Sequence, residues 1–374
     1  MKSETMTSIE RVECAMNLEK PDRVPIWPDV TTAAAASLLD AKIWEIAHQG
    51  FDAQQDLELK FFDEYGGWDA VNPALTDEVF TLGGNRVIKP TEDSPEIQFI
   101  EGEYTKYEDY EIIAEIGWFN FVREHLIFRV SDIKTSEEYD KLYEEVINGT
   151  LRGIAEYQKR DVFVLYPQPN NHPFFTLSLA RSMLKFTEDL YYRPEMVERA
   201  LKKMTEEFIE FGISLCEGAN MKTTKMVEER AGGSVYPLNV FERFWWPHTE
   251  KIVDAFHSKG IMLTCHLDTC WDKNLPYFKK LPRKSIMIEL DGTTDIFAAK
   301  DLLRDHICIA SDIHPALMSL GTADEVSAYC KKVIDEIGGD GGHILSTACG
   351  LPPAAKKENF IAMLETGRTY ELSK

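Results

Sequence analysis

The sequence predicts an α/β fold: a single (β/α)8 barrel over residues 1–374, with an N-terminal helical extension and an insertion around 73–160. Three observations point there. Short β-rich apolar runs alternate with long helical patterns. The later runs are nearly continuous in apolar residues, as in parallel strands covered on both faces. Candidate strands number about eight, the count of a closed barrel of β-α units. An open doubly wound sheet is the structural competitor.

The elements follow in order. Thr7 to Leu18 reads as a short amphipathic helix, and PDRVPIW breaks it. Strand candidates begin at Val24–Trp27 and Trp68–Val71. The stretch from there to Asp161 is read as the insertion, with irregular or antiparallel structure. The next strands are VFVLYP (162–167), TTKMVEE (223–229), GIMLTCHLD (260–268), SIMIELD (285–291), HICIASD (306–312) and GHILSTACG (342–350). Between them lie helical patterns at Leu179–Phe186, from Arg193 to Ala219 and from Asn239 to Gly260. No repeat, low-complexity segment or clear linker divides the chain.

Composition narrows the function classes. The chain has 374 residues, 44% of them hydrophobic and 28% charged, as in a globular protein able to bury a large core. Its 63 acidic against 41 basic residues give a net charge of −22, which disfavours nucleic acid and anionic lipid as partners. No run approaches the roughly 18 apolar residues of a membrane span, so no membrane is expected. The first 20 residues lack a signal-peptide core, and the seven cysteines are not spaced like a disulfide framework. A reducing cytoplasm is the expected setting, with thiols free for packing, metal or catalysis.

In such barrels the chemistry sits at the C-terminal strand ends. Five consecutive candidate strands carry reactive groups there: Glu228, Glu229 and Arg230; His266, Asp268 and Cys270; Glu289 and Asp291; Asp312 and His314; and Cys349. Any one of these taken singly reads better as a helix cap or a loop charge, and Asp291 and Asp312 in particular as caps of the helices that follow. Together, a thiolate, an imidazole and carboxylates at one mouth suit a borderline-soft divalent metal such as zinc. His266 and Cys349 are the best pair, and Asp268 returns to the face of His266 along an extended chain. Cys265 faces away and is expected in the core. Glu228, Glu229 and Glu289 are the candidate catalytic carboxylates. Asp291, Asp312 and His314 are candidate substrate contacts. The aromatic pairs at Trp118–Phe119, Phe174–Phe175 and Trp245–Trp246 read either as core or as the lining of a pocket for a flat apolar substrate. No GxGxxG, P-loop, GxSxG or HExxH motif is present.

The chain resembles the uroporphyrinogen decarboxylase superfamily. The resemblance is carried by IASDIHPALMSLGTADEV (309–326) and GGHILSTACGLPPAAKKENFIAM (341–363), with echoes in RVECAMNLEKPDRVPIW, GWDAV and SVYPLNVFERFWWPHTEKIVDAFHSKG. It implies one (β/α)8 barrel. True decarboxylases of the superfamily carry an arginine-rich motif after the first strand to hold the substrate carboxylates. Here the equivalent segment, Pro25 to Asp40, contains no Arg or Lys. The other branch consists of zinc methyltransferases that work with corrinoid proteins. There zinc is held by a His-x-Cys and a later Cys; this chain has His266-Leu267-Asp268 and keeps Cys349. The resemblance thus implies zinc on His266, Asp268 and Cys349, with Glu229 as a fourth or exchangeable ligand. It also implies a separate corrinoid (cobalamin) protein as partner, and dimers are common among such relatives. The carboxylate replacing a thiolate makes the chain look more like the O-demethylases, which act on methoxylated aromatics. A metal-independent decarboxylase or lyase is the alternative, and a non-catalytic corrinoid-binding module a third reading.

Overall fold

The structure is a computed structural model that describes residues 4–370. Its strands are β1 (Ile26–Trp27), β2 (Ala70–Val71), β3 (Val87–Ile88), β4 (Gln98–Phe99), β5 (Phe163–Val164), β6 (Pro169–Asn171), β7 (Thr223–Glu228), β8 (Met262–Leu267), β9 (Ile286–Leu290), β10 (Cys308–Ile313) and β11 (His343–Thr347). A parallel sheet runs in the order β1-β11-β10-β9-β8-β7-β6, and β2 pairs in parallel with β5. The remaining seam is closed by backbone bonds: Asp69 N–H donates to Ile26 O, and Phe163 N–H to Asp69 O. β5 and β6 are two halves of one barrel strand. Pro167 and Pro169 remove ladder donors between them, so the strand changes partner from β2 to β7 there. Counting that strand once gives the eight parallel staves of a (β/α)8 barrel.

Helix Ser8–Met16 closes the bottom of the barrel. Thr7 caps it reciprocally with Glu10, and Val12, Ala15 and Met16 meet Trp27, Ala70, Leu165 and Ile344 in a buried cluster. The expected helix at 179–186 is two helices, Pro173–Arg181 and Met183–Tyr192. Ser182 between them sits at φ +67°, a left-handed conformation that no helix interior allows.

The insertion is shorter than its sequence suggests. Helix Ser136–Lys159 is the ordinary crossover that returns the chain to β5, with Tyr139, Val146, Ile154 and Tyr157 on its buried face. It packs closely on helix Phe51–Tyr65: a Cβ at Gly149 would meet Phe51 at 2.5 Å. The true insertion lies before it. It holds the expected antiparallel piece, the β3–β4 hairpin, among short helices. Among the described residues no helix is long and apolar enough to cross a membrane.

Candidate metal centre

The C-terminal ends of β7, β8, β9 and β11 converge at one mouth. His266 pairs in register with Glu289 of the neighbouring strand, so the two inward-facing side chains stand side by side. Glu289 Oε2 lies 2.8 Å from His266 Nδ1 and 3.0 Å from Lys225 Nζ. The other ring nitrogen, Nε2, faces Asp268 Oδ1 at 3.0 Å and Cys349 Sγ at 3.9 Å. One ligand atom from each of His266, Asp268 and Cys349 lies within 4.8 Å of the others.

This donor set fits a cation. Asp268 Oδ1 is buried and makes no aligned hydrogen bond, although Nε2 is 3.0 Å away. Ligand atoms 2.0–2.3 Å from a tetrahedral ion stand roughly 3.3–3.6 Å apart, and the two measured separations straddle that range. Glu289 behind the imidazole supplies the outer carboxylate that fixes ring orientation in metal-bound histidines.

Charge at the mouth is tightly coupled. Burial alone would drive Glu289 upward, but Lys225 and His266 outweigh it and hold its carboxyl below the usual carboxylate range. Burial likewise works against a charged Lys225, yet Glu289, Tyr166 and Asp29 keep its ammonium protonated. Nζ also lies 4.9 Å from the Tyr166 ring centroid and 5.2 Å from that of Trp27. His266 is pushed up against its burial by Glu289 and Asp268. Burial and the Asp268 charge lift Glu229 to about 7.

Above this corner opens a cavity of about 500 Å³. His266, Cys349, Glu229 and Lys225 border it at one end, and the insertion roofs it with Phe80, Ile97, Phe99 and Trp118. Trp118 and Phe175 line it, as the aromatic pairs suggest. Other expected positions lie elsewhere. Phe174 is not among the lining residues: it packs edge-on against Phe186 (4.9 Å) and Tyr236 (5.5 Å). Glu228 turns away from its neighbour Glu229 and accepts hydrogen bonds from Trp245 Nε1, Arg230 N and Ala231 N, so it fastens a turn. Glu289 also stays off the cavity wall, an anion behind His266 and not an acid facing substrate.

The outer strand ends hold loops together. Asp291 accepts from Thr269 N and Thr293 N, while the following helix is capped by Asp295 instead. Asp312 accepts from Tyr329 Oη at 2.8 Å, and His314 caps helix Pro315–Leu320 through Nδ1. None of these three borders the cavity. Cys265 packs in the core, where burial pushes its thiol up. Sequence reasoning missed Lys225, Asp29 and Glu58, all of which line the cavity. The signal for Lys225 was a lone cation inside the apolar run TTKMV; helix Phe51–Tyr65 offered none for Glu58.

Fold and site together define a (β/α)8 barrel with its polar groups gathered at the C-terminal strand ends. The chain belongs to the uroporphyrinogen decarboxylase (URO-D) family, whose model matches residues 173–370, just over half of the chain. It is 25% identical over 177 residues to a uroporphyrinogen decarboxylase of Geotalea daltonii, covering 47% of this chain and 50% of that protein. It is 24% identical over 177 residues to a methylcobamide:CoM methyltransferase of Methanosarcina acetivorans, covering 44% and 50%. The chain thus spans about half the length of the curated relatives it matches. A solved methyltransferase from Methanosarcina mazei superposes over 98% of this chain and 99% of its own, with a TM-score of 0.74 and 16% identity, which establishes the shared fold.

Proposed function

We propose that the protein is a zinc-dependent methyltransferase that moves a methyl group from a methoxylated aromatic to the cob(I)amide of a separate corrinoid protein. The observation that carries this reading is the convergence of His266, Asp268 and Cys349 at the polar end of an aromatic-roofed cavity. These three residues would hold the zinc, which supplies Lewis acidity toward the ether oxygen when bound. Glu289 holds the His266 ring through Nδ1, and Lys225 neutralises Glu289. Trp118 and Phe175 receive the aromatic ring and exclude water. Glu229, whose carboxyl faces the cavity, gives its proton to the departing phenolate oxygen as the methyl carbon passes to cobalt.

The metal-free decarboxylase reading has less support. A polycarboxylate substrate needs free cations, and Pro25 to Asp40 supplies none. Elemental analysis of the wild type and Cys349→Ser tests the proposal. About one zinc per chain is expected, lost in the variant together with methyl transfer to cob(I)amide. Full zinc and full activity in Cys349→Ser would overturn the ligand assignment, and a wild type that takes up no zinc would overturn the reading.

A further inference from the structure

The strand ladder stops short of Cys349. β11 pairs with β1 as far as Ser346 and with β10 as far as Thr347, so the thiol stands two residues beyond the strand. Its loop is fastened on one side by Ala348 N–H, which donates to Ile313 O at 3.2 Å. On the other side the fastening comes from the turn that follows β1. Thr347 Oγ1 donates to Pro28 O, Leu351 N–H to Asp29 O and Thr31 Oγ1 to Leu351 O, each at 2.8 Å.

Thr31 is the side chain of that turn on which both of its neighbours meet. Its Oγ1 also accepts from Ala34 N–H at 3.1 Å and so caps helix Thr32–Leu38. One hydroxyl thus donates to the Cys349 loop and accepts from a helix whose first residues, Thr32 and Ala33, border the cavity. The methyl group is engaged as well. A Cβ on Gly350 would meet Thr31 Cγ2 at 2.6 Å, and Gly350 is not among the residues with positive φ, so close approach is what calls for glycine there.

Placement of this loop matters because the other two donors are set independently. His266 ends β8 beside Asp268, and Glu289 holds its Nδ1 at 2.8 Å. Cys349 Sγ reaches them from a separate loop and lies 3.9 Å from His266 Nε2. A zinc–sulfur bond of about 2.3 Å leaves little room for that loop to drift.

We propose that Thr31 is a positioning residue of the metal site: its hydroxyl holds the Cys349 loop so that Sγ converges with His266 and Asp268. The inference rests on the zinc reading above and adds to it a residue outside the ligand set.

The test is cobalt(II) substitution, read as the near-ultraviolet thiolate-to-cobalt charge-transfer band, together with zinc affinity from competition with a chromophoric chelator. Thr31→Val keeps the shape and removes the hydroxyl. It is expected to weaken the band and to lower zinc affinity about tenfold, as loss of an outer-shell partner does. Thr31→Ser keeps the hydroxyl and is expected to retain both. A Thr31→Val protein with a lower thermal midpoint but wild-type band and affinity overturns the inference, because Thr31 is then a helix cap and nothing more. An equal loss in Thr31→Ser overturns it too, since the methyl group against Gly350 would then be the part that counts. Should Thr31→Val not fold, Gly350→Ala displaces Thr31 while leaving its hydroxyl intact, and an unchanged band there overturns the inference. Wild-type protein that takes up neither cobalt nor zinc overturns the zinc reading itself; normal uptake with unaffected variants overturns only the role of Thr31.

Discussion

The barrel buries charge at both ends, but it does so in opposite ways. At the bottom, Asp69 is fully buried between Arg11 and Arg23, each 2.6 Å from one of its oxygens. Ile26 N–H and Ser8 Oγ donate to the same carboxylate, and Arg11 reaches on to Asp22 at 2.7 Å and to Met6 O. Both Asp69 oxygens and every guanidinium nitrogen of Arg11 and Arg23 have a protein partner, and the cluster ties helix Ser8–Met16 to β1 and β2. At the mouth, carboxylates outnumber cations, and Asp268 Oδ1 and both Glu289 oxygens lack aligned hydrogen bonds. One cluster is complete within the chain; the other is short of positive charge and of ligand. A self-satisfied network stabilises structure, whereas an unsatisfied one at a cavity invites a bound group.

Substitutions should separate the two ends. The largest effect on stability is expected from Asp69→Ala, which removes the buried carboxylate shared by two guanidinium groups and leaves Arg11 only Asp22 and Glu4, and Arg23 only Glu4, as counterions. Loss of roughly 3–5 kcal/mol is the outcome to seek by urea unfolding, with zinc content per folded chain unchanged. A loss below about 1 kcal/mol would show that water reaches the bottom cluster and would weaken the contrast.

Glu289→Gln is the counterpart at the mouth. The amide keeps the shape but removes the charge shared by His266 and Lys225. A fall of about 10–100-fold in zinc affinity is expected from competition with a chromophoric chelator, with a smaller change in unfolding free energy than for Asp69→Ala. An unchanged affinity would detach Glu289 from the candidate metal site.

The smallest effect concerns acid. Burial would raise the Asp22 carboxyl, but hydrogen bonds from Arg11 and the amides of Thr5 and Met6 hold it well below the usual carboxylate range. A carboxyl depressed in the folded state stabilises fully above its unfolded value near 4 and loses that contribution as pH falls further. Asp22→Asn should therefore narrow its stability gap to the wild type as pH drops from about 5 towards 2, read from thermal midpoints. A constant gap would mean that Asp22 contributes by packing alone.

Much of the fold was legible because barrel strands announce themselves as apolar runs. All eight expected strands contain a barrel strand or part of one, from Ile26–Trp27 to His343–Thr347. The boundary of the insertion was not legible, since helix Ser136–Lys159 is as polar as an inserted helix until its partner Phe51–Tyr65 is placed beside it. At the site, residue type and two-residue spacing brought out His266, Asp268 and Cys349, which the fold gathers together. The same reasoning could not separate Glu228 from Glu229. Adjacent residues at a strand end point to opposite sides, and only the position of Trp245 shows which carboxylate is consumed by the turn. Phe174 and Phe175 present the same problem at a helix start.

The sequence by itself determined the alternation of apolar strands and amphipathic helices, the acidic balance and the chemistry available at each strand end, because these depend on local pattern and residue type. Only the tertiary structure decided which side chains share the cavity, that Lys225 backs Glu289, and that Thr31 reaches the loop of Cys349. Those facts depend on the direction of each side chain and on neighbours up to hundreds of residues away in the chain, which barrel closure alone brings within a few ångströms.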